Sequence, residues 1–309
     1  MMKPMLTLLL AVISAPLLPQ QPGPAREPFV RENATRKVAP HTFVIPDFDT
    51  GLVPNVGIIV GDRATLVVDT GLGARNGETV LREAQKVSGN GALYVGITHF
   101  HPEHDLGAQA FPANARVTRS KGEDQDIAEF GLEMANTFAG RSPINAELLK
   151  GATFRKTDIA FDREHVIDLG GVHVRLLAVG PTHTRGDTVF LVEEDRVLFS
   201  GDVAMKAFPA MASLYSSVRA WVAALDQLGA LAPRIVVPSH GAMGDATMIS
   251  RYADYFRALQ TRARALKAAG TSSDDAAKMI QAEMTSQYAD MAQGGRVAAA
   301  AAIAYKEGQ

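Results

Sequence analysis

Hydrophobic positions along the chain recur with two periods, and the switches between them mark out its elements. From residue 41 the pattern is that of strands: "HTFVIPDF", then "NVGIIVGDRATLVVDTG". The second segment reads as a hairpin, two β-branched runs joined at Gly61-Asp62-Arg63 and closed by Asp69-Thr70-Gly71. In "RNGETVLREAQKVSG" the apolar residues Val80, Leu81, Ala84 and Val87 fall at helical spacing, with Gly89 as the stop. "ALYVGITHF" predicts a buried strand that runs straight into a histidine-rich loop. "PEHDLGAQAF" then begins a short helix, with Pro102 in its first turn and acids near its N-terminus.

A second β-rich stretch runs from "HVIDLGGVHVRLLAVG" through "DTVFLVEEDRVLFSGD". An amphipathic helix, "SSVRAWVAALDQLGAL", follows, and "RIVVPSHG" is a strand ending at His240. Each half therefore shows strands, a helix, and a further strand with a histidine at its end. Two such halves stacked face to face predict an α/β fold, a four-layer αβ/βα sandwich of two sheets with outer helices. Past Asp245 the chain is helical and Ala-rich, so residues 246–309 are expected to pack as C-terminal helices on a domain spanning 26–245. No repeat of 20 to 50 residues is visible.

Composition narrows the classes. A chain of 309 residues that is 47% hydrophobic can build a sizeable core. Its 31 basic and 33 acidic residues give a formal net charge of −2 with no basic stripe, which argues against a nucleic-acid partner. The absence of cysteine removes disulfides, thiolate ligands and a cysteine nucleophile, so any metal must be held by histidine and carboxylate. The first 25 residues place one lysine before an apolar run, Leu6 to Leu18, and a Pro/Gln/Gly spacer. That is the order of a secretory signal peptide, and it predicts a periplasmic or secreted protein with no stable membrane anchor after cleavage. A retained N-terminal anchor is the competing reading.

Against this background "THFHPEHD", residues 98–105, stands out. It offers His99, His101, Glu103 and His104 within six positions, and four residues of ligand type so close together are a strong indication of a metal loop. If His99-Phe100-His101 lie at a strand end, alternation turns both imidazoles to one side and Phe100 to the other. "GPTHTRGD" supplies His183 and Asp187, "LFSGD" supplies Asp202, and "VVPSHG" supplies His240, each where a strand ends. Strand ends in a layered α/β fold collect at one edge, so these distant residues can converge. His41, His165 and His173 lack such company and read as structural. Asp187 suits a turn as well as a supporting role, Thr182 and Thr184 shape their loop, and Lys206 reads first as a solvated lysine, with contact to a substrate carboxylate as the alternative.

The set "VVDTG", "THFHPEH", "GPTHTRGD", "FSGD" and "PSHG", in this order, resembles the metallo-β-lactamase superfamily of dinuclear zinc hydrolases over roughly residues 41 to 245. The resemblance implies the αβ/βα sandwich and two Zn2+ per chain. It implies His99, His101 and His183 on the first zinc, Glu103, His104 and His240 on the second, Asp202 bridging both, and Asp69 supporting the site from behind. It implies a metal-bound hydroxide that attacks a carbonyl of a small-molecule substrate, with Glu103 orienting the nucleophile and Asp202 also serving catalysis.

One position departs from the pattern: Glu103 stands where the family has Asp, and Asp105 is the alternative acidic ligand unless it caps its helix. Oxygen donors also suit Fe or Mn. A branch of the superfamily that binds two irons resembles H-x-E-x-D-H, which would put Glu where this chain has His101. The expectation is thus an exported zinc hydrolase of a β-lactam or similar cyclic amide or ester. The alternatives are a glyoxalase II-like thioesterase or lactonase, and an iron-dependent redox enzyme or metal-binding module. Substrate choice is expected in "LVPNVG", in residues 136–154 and in residues 205–217, the last being a packed connection or an apolar pocket wall. Oligomeric state is not legible in the sequence.

Overall fold

The computed structural model describes residues 26–291 and 297–308, so the expected signal peptide over residues 1–25 lies outside the described residues. The first half runs β1 (Arg36–Lys37), β2 (Thr42–Ile45), β3 (Val56–Val60), β4 (Ala64–Val68), α1 (Gly73–Val87), β5 (Ala92–Gly96), α2 (Pro102–Asp105), β6 (Arg116–Ser120), α3 (Lys121–Ala139), α4 (Pro143–Leu148) and β7 (Ile159–Phe161). The second half runs β8 (Glu164–Asp168), β9 (His173–Ala178), β10 (Thr188–Val192), β11 (Val197–Gly201), α5 (Val218–Ala230) and β12 (Ile235–Pro238). Helices α6 (Ala246–Ala268), α7 (Ser273–Gln287) and α8 (Val297–Glu307) follow.

Strands β1 to β7 form one sheet in sequence order, antiparallel as far as β4 and parallel from there on. The second sheet has the order β12-β11-β10-β9-β8, with only β11 and β12 parallel. Side-chain alternation explains the layering. In β4, Leu66 and Val68 meet Leu176, Phe190 and Phe199 of the other sheet. Between them Val67 points the opposite way and packs with Ile58, Val80 and Ala84 against α1. In β10, Phe190 and Val192 face the first sheet, whereas Val189 and Leu191 join Trp221, Leu225 and Leu228 of α5 and Tyr252 and Phe256 of α6. Each such side chain, fully buried, contributes on the order of 1.5–3 kcal/mol. The result is the four-layer αβ/βα sandwich expected from the sequence.

This topology gathers one set of loop ends. β4 and β5 are parallel, as are β11 and β12, so each pair finishes at a common edge. β10 begins beside the end of β11, which brings the β9–β10 connection to the same edge. Two local readings differ from expectation. β5 ends at Gly96, so His99 and His101 lie in the turn beyond the strand. The chain leaves the sheet there because Asp69 captures the backbone N–H of Thr98 at 2.9 Å and its hydroxyl at 2.9 Å. Residues 136–154, expected as a loop, contain the end of α3 and all of α4. Ser142 caps α4 by accepting from Asn145 N, and Pro143 opens its first turn. Among the described residues no helix is long and apolar enough to cross a membrane.

Candidate metal centre

All seven residues singled out as ligands come together at that edge. Their donor atoms fall into three groups, each lying within 4.8 Å: His99, His101 and His183; His99, His104 and Asp202; Glu103, His104 and His240. The middle group links the other two, because it shares His99 with one and His104 with the other. His183 Nε2 lies 3.4 Å from Asp202 Oδ2 and 3.3 Å from His101 Nδ1. His99 Nε2 is 3.0 Å from His101 Nδ1, and His104 Nε2 is 3.9 Å from Glu103 Oε1. His41, His165 and His173 join none of these groups among the described residues.

Supporting bonds aim the rings. His104 Nδ1 lies 2.9 Å from Asp69 Oδ2, His183 Nδ1 2.7 Å from the Ala210 carbonyl, and His240 Nδ1 3.1 Å from the Val53 carbonyl. The two carbonyls fix the proton on Nδ1 of His183 and His240 and leave Nε2 with a lone pair directed at the cluster, and the Asp69 carboxylate holds the His104 ring in the same orientation. Asp69 does this from a left-handed backbone, φ 63°, a conformation that Asp tolerates better than most residues and that its bonds to Thr98 and His104 hold in place. Asp187 organises the His183 loop by accepting from the Thr182 hydroxyl and from the Thr184 amide and hydroxyl, at 2.8 and 2.7 Å for the latter two.

The electrostatics suit a cation. Burial, and then the neighbouring histidines, push His99 and His101 well below the ordinary histidine range, so both stay neutral with lone pairs available. Burial also opposes a charge on His104, but the Asp69 carboxylate outweighs it and raises that ring to about 9, so a metal taken up there would displace the proton on Nε2. His101 Nε2, Glu103 Oε2 and His104 Nε2 are buried without a hydrogen-bond partner. Each such atom costs about 1–3 kcal/mol if nothing satisfies it. Three of them converging among imidazoles and carboxylates fit a bound metal. Asp105, the alternative acidic ligand, is engaged elsewhere. Arg119 grips it from Nε at 2.8 Å and Nη2 at 2.6 Å, and it neither joins the donor groups nor caps α2.

The cluster opens into a cavity of about 640 Å³. All three expected substrate segments contribute: Leu52 from the first, Phe138 and Arg141 from the second, and Lys206, Ala207, Ala210, Met211 and Ala212 from the third. The third segment is both packing and wall, since Met205 and Phe208 are buried in the core while Met211 lines the cavity. Sequence reasoning did not single out Arg141, whose guanidinium lies 3.5 Å above the Phe138 ring, nor Met134 beside it. The spacing Ile127, Phe130, Met134, Phe138 in "DIAEFGLEMANTFAG" is helical and would have revealed α3. Asn55 was also missed: its amide donates to the Pro238 and Gly241 carbonyls at 2.9 and 2.8 Å and so clasps the turn that carries His240.

A family model of the metallo-β-lactamase superfamily matches residues 49–240, more than half of the chain, and the chain belongs to that superfamily. It is similar to the linear primary-alkylsulfatase of Pseudomonas sp. (strain ATCC 19151), 25% identical over an alignment of 217 residues that covers 60% of this chain and 40% of the relative. It is also similar to the acyl-coenzyme A thioesterase MBLAC2 of Gallus gallus, 26% identical over 223 residues, 68% of this chain and 80% of the relative. Among solved structures, the inverting sec-alkylsulfatase Pisa1 from Pseudomonas sp. superposes with a TM-score of 0.68 at 15% identity, over 89% of this chain and 50% of that one. The chain thus spans half or less of the two alkylsulfatases, and at such identity the structural likeness concerns the fold.

Proposed function

We propose that this chain is an exported hydrolase that holds two zinc ions and cleaves an acyl ester or thioester of a small molecule. The observation that carries the reading is the convergence of seven donors, His240 half-buried and the others buried or nearly so, with three orphaned polar atoms among them, beneath a cavity walled by Leu52, Met134, Phe138 and Met211. His99, His101 and His183 would hold one ion, Glu103, His104 and His240 the other, with Asp202 between them. When bound, the metals supply Lewis acidity and a water acidified to a pKa of roughly 7.

The chain's own groups do the rest. The bonds to Asp69, Ala210 and Val53 keep the rings of His104, His183 and His240 in one orientation, so no reorientation is needed during the reaction. A substrate seated against the apolar walls would displace water and strengthen the electrostatics inside. Arg141 and Lys206, exposed cations on the cavity, would receive an anionic part of the substrate. In the net reaction the oxygen of water bonds to the acyl carbon, the C–O or C–S bond breaks, and the alcohol or thiol leaves with a proton. The similarity to an acyl-coenzyme A thioesterase supports this bond class, and the apolar run before residue 25 supports export. A β-lactam is the second reading. It is favoured by Lys206, four residues after Asp202 and on the same cavity, where a point charge suits the substrate carboxylate.

The test is elemental analysis of the purified chain, together with hydrolysis of acyl thioesters and a chromogenic cephalosporin, each with and without chelator. We expect two zincs per chain, chelator-sensitive thioester cleavage, and a metal content that falls toward one in Glu103→Gln. Cleavage of the cephalosporin alone would favour the second reading. Iron in place of zinc, or no hydrolysis of either substrate, would overturn the assignment.

A further inference from the structure

We infer that the substrate carries an unbranched aliphatic arm and that this arm lies in a second groove adjoining the catalytic cavity, between α3 and the segment 211–214. The inference rests on the hydrolase reading and names its substrate class. The groove, about 420 Å³, is lined by Phe100, Phe130, Met134, Met211 and Leu214, with Glu133 and Thr137 among its polar residues. Met134, Met211 and Ala212 line the catalytic cavity as well, so the two spaces share a wall and adjoin there. Methionine suits such a boundary, because its unbranched, polarizable side chain adapts to a passing chain at little cost.

The outer wall is held open by design of the local bonding. Leu214 is 89% exposed, the most exposed large hydrophobic residue among those described. The turn that presents it is closed on itself: Tyr215 N donates to Ser213 Oγ and Ser213 N to Ser216 Oγ, both at 3.2 Å, and Ser216 N donates to the Ser213 carbonyl. The turn is then fastened to α3. Tyr215 Oη donates to Glu129 at 3.0 and 3.2 Å, Arg185 lies 3.8 Å over the Tyr215 ring, and Arg185 pairs with Glu129 and, at 3.0 Å, with Asp126. An exposed leucine on a tethered turn, opposite Phe130 and Met134, is a fixed apolar wall rather than a frayed loop. At the cavity end Arg141 faces no acidic partner within ion-pair distance among the described residues, which leaves it for the polar end of the same molecule. An aliphatic arm next to a charged or polar reacting end fits these two neighbouring spaces better than a compact bicyclic substrate.

The experiment measures kcat/KM for p-nitrophenyl esters of saturated acids from two to twelve carbons, kept below their aggregation limits. Alongside, calorimetry follows binding of the corresponding free carboxylates to the full protein. Each methylene that enters the groove should raise kcat/KM, and tighten carboxylate binding, by about fourfold until the groove is filled. Leu214→Ser and Phe130→Ser should shrink the ratio between ten- and four-carbon members. Leu132→Ser, which removes another exposed leucine of α3 outside the groove, should not change it. Ester turnover with no chain-length dependence would overturn the groove and leave the hydrolase reading intact. Chain-length-dependent carboxylate binding without any ester turnover would support the groove and sink the hydrolase reading. Loss of binding to phosphatidylcholine vesicles in Leu214→Ser, with the chain-length ratio unchanged, would overturn the inference in favour of a membrane-facing patch.

Discussion

Arg119 shows how much one residue holds in place behind the cluster. It is fully buried, donates twice to Asp105 and also to the Arg155 carbonyl at 2.7 Å and Thr157 Oγ1 at 2.9 Å, and lies 3.5 Å from Glu123. Burial pushes Glu123 well above the ordinary carboxyl range even though Arg119 pulls it down, with Asp105 adding to the rise. Replacing Arg119 by Met keeps the volume and strands two buried carboxyl groups, so Arg119→Met should lose about 3–5 kcal/mol at neutral pH. Its pH dependence has a definite sign. A carboxyl whose folded pKa lies above its unfolded one contributes stability that is present below the unfolded value and lost as pH rises through the folded value. Without the arginine Glu123 rises further, so the deficit should narrow as pH falls from 7 toward 5. Urea unfolding at the two pH values checks this; a deficit under about 1 kcal/mol, or one that widens in acid, would show that the pair is not what supports α2. At this scale the seven donors were legible, because ligand types crowd into short motifs. The Arg119–Asp105 pair was not, because its partners lie on different elements that only the finished fold brings together.

Among the elements, α1 is placed by an absence. An added Cβ on Gly77 would lie 2.0 Å from the carbonyl oxygen of Gly107, so the helix touches the backbone just beyond α2 with no side chain between them. That approach seats the turn carrying His101, Glu103 and His104. Two effects compete in Gly77→Ala: helix propensity gains up to about 1 kcal/mol, and overpacking against a backbone atom costs about 1–3 kcal/mol. The clash should win, giving a net loss of stability and a lower metal content, read by thermal unfolding and elemental analysis. A variant more stable than the parent would mean that α1 is free to shift. Most strands, α1, α5 and the two-sheet sandwich were legible from periodicity, since β4 and β10 alternate cleanly between two cores, whereas the short β1, β6 and β7 were not read. Helices α3 and α4 were hidden. The half-exposed α3 buries only Glu123, Asp126, Gly131 and Phe138, so the helical spacing of its apolar positions sits among polar residues and was passed over.

For the whole molecule, the family match ends at residue 240, whereas the packing does not. Trp221 of α5 donates its indole N–H to the Val203 carbonyl at 2.8 Å and packs against Phe256 of α6, with ring centroids 4.8 Å apart. Leu198, Val236, Leu225 and Leu228 share that cluster with Tyr252, Leu259 and Ala301 from the C-terminal helices. Further ties run along the surface, with Glu307 of α8 accepting from the Arg219 amide at 2.9 Å and Arg262 of α6 meeting Glu283 of α7 through two 2.7 Å bonds. Four or five large side chains uncovered at about 1.5–3 kcal/mol each would consume most of the 5–15 kcal/mol that holds a typical domain together. A chain cut after Asp245 should therefore be insoluble or lack a cooperative thermal transition, although every proposed metal ligand remains in it. If residues 26–245 instead unfold cooperatively near the parent temperature by circular dichroism, α6 to α8 are an appendage. If they do not, the face of the second sheet opposite the first needs those helices as its fourth layer, and the metal edge inherits its rigidity from them.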